Sequence, residues 1–109
     1  MWELIQSDLR QLSAMVAEMR EMAKSYASAD ATYRRVKALA ILDERNRGTA
    51  ATIARDVIYS RQDVFDALME RDSAEVVYEA QKEGINALKL EIRVMEAQMQ
   101  REWTQSGQR

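Results

Sequence analysis

No proline interrupts this chain, and its first glycine is Gly48. Proline stops an α-helix outright and glycine weakens it most among the rest, so the segment from Trp2 to about residue 46 contains nothing that ends a helix. Its apolar side chains recur at Trp2, Ile5, Leu9, Leu12, Val16, Met19, Ala23 and Tyr26, alternately three and four residues apart, which draws one stripe along a helix. After Tyr26 the spacing slips by a residue to Ala29, Tyr33, Val36 and Ala40, across SYASAD at 25–30, a segment poor in bulky side chains. A slip of this kind locally overwinds a coiled coil. The reading is one helix over about 2–46 with a weak point near Ser28, the alternative being two helices joined there.

Beyond Gly48 the repeat resumes at Ala50, Ile53, Val57, Ser60, Val64, Ala67, Arg71, Ala74, Tyr78, Gln81, Ile85, Leu88, Ile92, Met95 and Met99. It predicts a second helix over about 50–103. Gly84 inside it costs about 1 kcal/mol relative to alanine, too little to end it, and the tail 104–109 has no pattern and is expected to fray. The turn then falls at about 46–49, with Gly48 in the left-handed conformation that closes one helix and Thr49 as N-cap of the next. Helices of these lengths run to the order of 70 and 80 Å, and their short connection forces them antiparallel. The expected fold is all-α, a single domain over 1–109 shaped as an elongated antiparallel helical hairpin or coiled coil. Folding about Gly48 would set Tyr33 near residue 62, Met19 near Val76 and Ile5 near Leu90. A lone hairpin buries one stripe per helix. Further apolar residues at Met15, Met22, Leu39, Ile58, Phe65, Leu68, Val76 and Val94 call for a second buried face, as in an oligomeric helical bundle. Ile85, Leu88, Ile92, Met95 and Met99 form the strongest stripe and are the candidate oligomer interface. The mixture of Ile, Leu, Val, Met and Ala along the stripe does not select an oligomer number.

The chain's 109 residues suffice for one domain. Hydrophobic residues make up 47% but aromatics only 6%, which suits a thin helical form better than a globule. Cysteine and histidine are both absent, excluding disulfides, thiolate or imidazole ligands and Ser-His-Asp arrangements. With no phosphate-binding loop either, the expectation is a non-enzyme without cofactors. Glu75 and Glu79 share a helix face, but without a histidine they read as a solvated acidic face, not a metal site. The methionines at 15, 19 and 22, and at 95 and 99, read as adaptable core. No apolar run approaches the roughly 20 residues of a membrane span, and a soluble, cytoplasmic protein is expected.

Charge is unevenly placed. From Tyr33 to Arg61 there are seven basic residues, Arg34, Arg35, Lys37, Arg45, Arg47, Arg55 and Arg61, against Asp43, Glu44 and Asp56. From Gln62 to Glu83 the balance reverses, with Arg71 and Lys82 against Asp63, Asp66, Glu70, Asp72, Glu75, Glu79 and Glu83. A basic tip can neutralise phosphates, and a tyrosine there can stack on a base, which is how single strands are held. The candidate nucleic-acid-binding residues are therefore Arg34, Arg35, Lys37, Arg45, Arg47, Arg55, Tyr59 and Arg61. Tyr33 lies on the stripe and reads as core; Tyr59 lies beside it and reads equally as core or contact. The bland alternative is that the acidic stretch of one chain meets the basic stretch of another inside the oligomer. Arg71, a charge on the stripe, either fixes register through an acidic partner or snorkels outward.

The run YRRVKALAILDERNRG at 33–48 resembles the helix-to-turn segment of the UvsY-like recombination mediators of phages. A basic pair, Arg34-Arg35, precedes an apolar stripe beginning at Val36, then Leu42-Asp43, then the glycine turn at Gly48. The resemblance covers about residues 9–50. It implies a homo-oligomer in the cytoplasm of a phage-infected cell, one that binds single-stranded DNA and helps load a strand-exchange recombinase onto DNA covered by single-strand-binding protein. The departure is at Leu39 and Ile41, where that family carries basic residues, so phosphate contact would fall to Arg34, Arg35, Lys37, Arg45 and Arg47. A second function compatible with the sequence is a coiled-coil adaptor or inhibitor docking its acidic face, residues 63–83, on a host protein. A third is a structural coiled coil with no ligand.

Overall fold

A computed structural model describes residues 1–107. The fold is all-α, as the sequence predicts. α1 spans Trp2–Asn46, α2 spans Ala51–Val57 and is followed by a 3-10 turn at Ile58–Ser60, and α3 spans Gln62–Gly107. No strand occurs among the described residues. α1 runs through Ser28 without a break, because the small residues there are still good enough helix formers. The expected frayed tail is helical from Thr104 to Gly107, with the Thr104 hydroxyl donating to the Gln100 carbonyl at 2.9 Å; residues 108 and 109 lie outside the described part.

Packing divides the chain into two compact units, Met1–Glu21 with Glu79–Arg109 and Met22–Tyr78. In the first unit α1 and α3 run antiparallel: the Gln81 amide donates to the Met15 carbonyl at 2.9 Å, and Trp2 and Ile5 share a cleft with Met99 and Trp103. Ile5, Ile85, Leu88 and Ile92 form its buried interior. This corrects the role expected for the α3 stripe. Ile85, Leu88 and Ile92 are covered by their own chain's α1, and Met95 and Met99 are half-buried, so the strongest apolar stripe closes the hairpin and is not left over for another chain.

In the second unit Tyr33, Ala40, Ile58, Val64 and Ala67 form the core, with Val36, Ile41 and Leu68 packed against it. Its corner departs from the expected uninterrupted second helix. Gly48, at φ +93°, closes α1: its N–H donates to the Arg45 carbonyl and the Thr49 N–H to the Glu44 carbonyl, the paired bonds that a left-handed glycine makes possible. Thr49 is not the N-cap of α2. Its hydroxyl donates to the Glu44 carboxylate at 3.0 Å, and Ala50 occupies the cap position in extended conformation with no side-chain bond. Ala54 and Ile58 are then fully buried, whereas the expected stripe residues Ile53 and Val57 are exposed. The chain rotates by one residue. The 3-10 turn absorbs that step: the Ser60 hydroxyl donates to the Val57 carbonyl at 2.7 Å, Arg61 is extended at φ −80°, ψ 135°, and the Asp63 carboxylate accepts the Val64 N–H at 2.9 Å. Because residues 51–61 form this separate corner, the pairing is displaced. Arg71 lies on Tyr33, Gly84 meets Met15, and Val76 and Leu90, expected opposite Met19 and Ile5, are exposed.

Candidate nucleic-acid interface

The basic residues singled out in the sequence lie in the second unit, on α1, α2 and the turn that follows, and folding gives them different roles. Arg61 is an internal brace. Its guanidinium reaches Asp43 at 2.8 Å, Glu44 at 3.4 Å and Asp63 at 3.6 Å, tying the end of α1 to the start of α3. The bond from Arg61 holds the Asp43 carboxyl below its usual range, with Arg47 adding to the effect. Arg47 itself lies 3.3 Å from Asp43. Arg45 donates to the Thr49 carbonyl at 3.3 Å, and Arg34 pairs with Asp30 at 3.1 Å one turn back. These last three arginines remain exposed, and such surface pairs contribute little, so they can exchange partners at low cost. Arg35 and Arg55 are exposed with no carboxylate partner among the described residues.

Lys37 belongs to a different arrangement. Its ammonium stands 5.8 Å from the Tyr33 ring centre and 5.9 Å from that of Tyr59, and the two phenol oxygens are hydrogen-bonded at 3.1 Å. Arg71 approaches the Tyr33 ring to 4.5 Å; its guanidinium bonds Asp72 at 2.9 Å and reaches Asp30 at 3.8 Å. Tyr33 is thus core, as its place on the stripe implies, and its ring is occupied by cations. Tyr59 stays partly exposed and can offer a ring face. The bonds from Tyr33 and then Lys37 hold the Tyr59 phenol below its ordinary range, whereas the same bond and burial push Tyr33 up. Arg71 does not simply extend to solvent: it pairs with acids of its own chain, Asp72 beside it and Asp30 on α1.

The net charge of the unit changes the electrostatic picture. Residues 22–78 hold nine basic and nine acidic side chains, because the acidic start of α3 folds alongside the basic half of α1. The surplus seen along the sequence is therefore cancelled within the unit, and attraction to a polyanion rests on local exposure. Among the described residues no cluster of three metal-ligating side chains occurs, and no helix is long and apolar enough to cross a membrane. Comparison with known protein families, curated proteins and solved structures finds no match to this chain.

Proposed function

We propose that the chain is a non-enzymatic accessory protein of phage-type DNA recombination, an oligomer that holds single-stranded DNA and helps bring a recombinase to it. What supports the DNA contact is that Arg34, Arg35, Arg45, Arg47 and Arg55 remain exposed within one unit that also exposes part of the Tyr59 ring. Asp43 and Glu44, the acids next to Arg45, both reach Arg61, and the pairs that Arg34 makes with Asp30 and Arg47 with Asp43 are exposed ones that a phosphate can displace. Phosphates would bridge the arginines and a base would stack on Tyr59, a mode tolerant of sequence. The recombinase and single-strand-binding protein as partners follow from the resemblance at 33–48. The test is an anisotropy titration of labelled oligothymidylate. With about four phosphate contacts on a single strand, affinity falls about 50-fold between about 50 and 200 mM salt, and Arg45→Glu with Arg47→Glu abolishes most of the binding. Absence of binding at low salt overturns the reading.

The neutrality of the second unit favours one other reading, an adaptor that binds a host protein through the acidic face at 63–83. It predicts a discrete host partner retained after nuclease treatment and lost in Asp66→Lys with Glu70→Lys.

A further inference from the structure

Two rows of exposed apolar side chains cross the second unit, and neither contributes to its core. On α1, Leu39 is 61% and Leu42 57% exposed, and the spacing from Arg35 through Leu39 to Leu42 places all three on one helix face, turned away from the Tyr33 and Ala40 face that packs on α3. On α3, Phe65 at 49%, Met69 at 48% and Val76 at 67% exposure form a second row, with Asp72 in the same line. Single exposed apolar residues are ordinary; a row is the mark of a binding surface. The rows carry opposite charge. Arg35 has no carboxylate partner among the described residues, and Asp66 and Glu70 follow Phe65 and Met69 directly on an exposed surface.

We infer that each row is covered by the other row on a second copy of this chain. The helices meet antiparallel, so that Leu42 faces Phe65, Leu39 faces Met69 and Arg35 faces Asp72. The parallel alternative sets Leu42 against Asp72 and leaves a carboxylate desolvated beside an apolar side chain, which is unfavourable. Asp72 receives Arg71 on Oδ1, leaving Oδ2 to accept from Arg35 of the neighbouring copy. Because the α1 row points away from α3, one copy meets different neighbours with its two rows. The contact is heterologous, and it builds a ring or a fibre instead of stopping at a pair. It withdraws Arg35 from the DNA-contacting set and leaves Arg34, Arg45, Arg47 and Arg55 in place, so it stands or falls independently of DNA binding.

The experiment uses the full chain without nucleic acid, in sedimentation velocity. The wild type runs larger than a dimer. Leu39→Ser with Leu42→Ser removes the α1 row, Phe65→Ser with Met69→Ser removes the α3 row that faces it, and each variant alone runs as a monomer with unchanged helical circular dichroism. Mixed in equal amounts they form a complex of two chains and nothing larger, since one intact row of each kind survives. If a serine pair unfolds the chain, Leu39→Gln and Met69→Gln replace the pairs. A monomeric wild type, a variant that assembles like the wild type, or a mixture that stays monomeric overturns the inference.

Discussion

Arg61 does the work of three contacts with one side chain, and its removal has a pH signature. Asp43 is the carboxyl it holds below the usual range. A depressed folded pKa contributes stability that is present above the unfolded pKa and is lost as pH falls through the folded one. In Arg61→Ala the Asp43 value returns toward ordinary, so the variant is less stable than wild type at neutral pH and the gap narrows on acidification below the unfolded carboxylate range. Thermal midpoints at neutral and strongly acidic pH measure this, and equal gaps at both would show that Arg61 acts through packing alone. The polar residues that interrupt the apolar stripe have comparable uses. Ser60 bonds the Val57 carbonyl, Arg71 braces Asp72 and the Tyr33 ring, and Gln81 bonds the Met15 carbonyl. Each satisfies a group at a helix junction or across the pair, which an apolar residue would not do.

At the scale of elements, two glycines on one chain have opposite expectations. Gly48 sits at φ +93°, where an L side chain is strained, and Gly48→Ala lowers stability by about 1 kcal/mol. Gly84 is helical, and an added Cβ meets the flexible Met15 Cε at 3.0 Å. That methyl can move aside, so the gain in helix propensity of about 1 kcal/mol prevails, and Gly84→Ala raises stability by roughly half of it. Urea denaturation of both variants checks the pair of signs. α1 and the body of α3 were legible in the sequence because long stripes without breakers leave no competing structure. The corner was not, because Ile53 with Val57 and Ala54 with Ile58 are two apolar faces one residue apart, and over seven residues periodicity cannot choose between them. Asp63 was the available signal, a carboxylate in the first turn of a helix just ahead of Val64 and Phe65. For the candidate site, the clustering of arginines was legible; which of them would be spent on internal acids was not, since Arg61 meets Asp43 across a turn whose geometry the pattern does not encode.

The molecule as a whole joins two cores of different make. The second unit depends on Ile58, a fully buried side chain contributed by the corner; the first on aliphatic residues of two long helices. Ile58→Ala costs about 3 kcal/mol, and amide hydrogen exchange should show the lost protection mainly within residues 22–78. Uniform loss along the chain would mean that both units open as one. The one-residue step at the 3-10 turn also has a consequence for how such a chain can vary. In an unbroken hairpin every insertion at the bend shifts the facing of all residues beyond it. Here the bend has its own phase, reset at Ile58–Ser60, so the exposed residues 50–53 between the Gly48 turn and buried Ala54 can be re-charged while Val64 and Ala67 keep their facing. Such a corner tolerates change on its outer face while Ala54 and Ile58 hold it in the core.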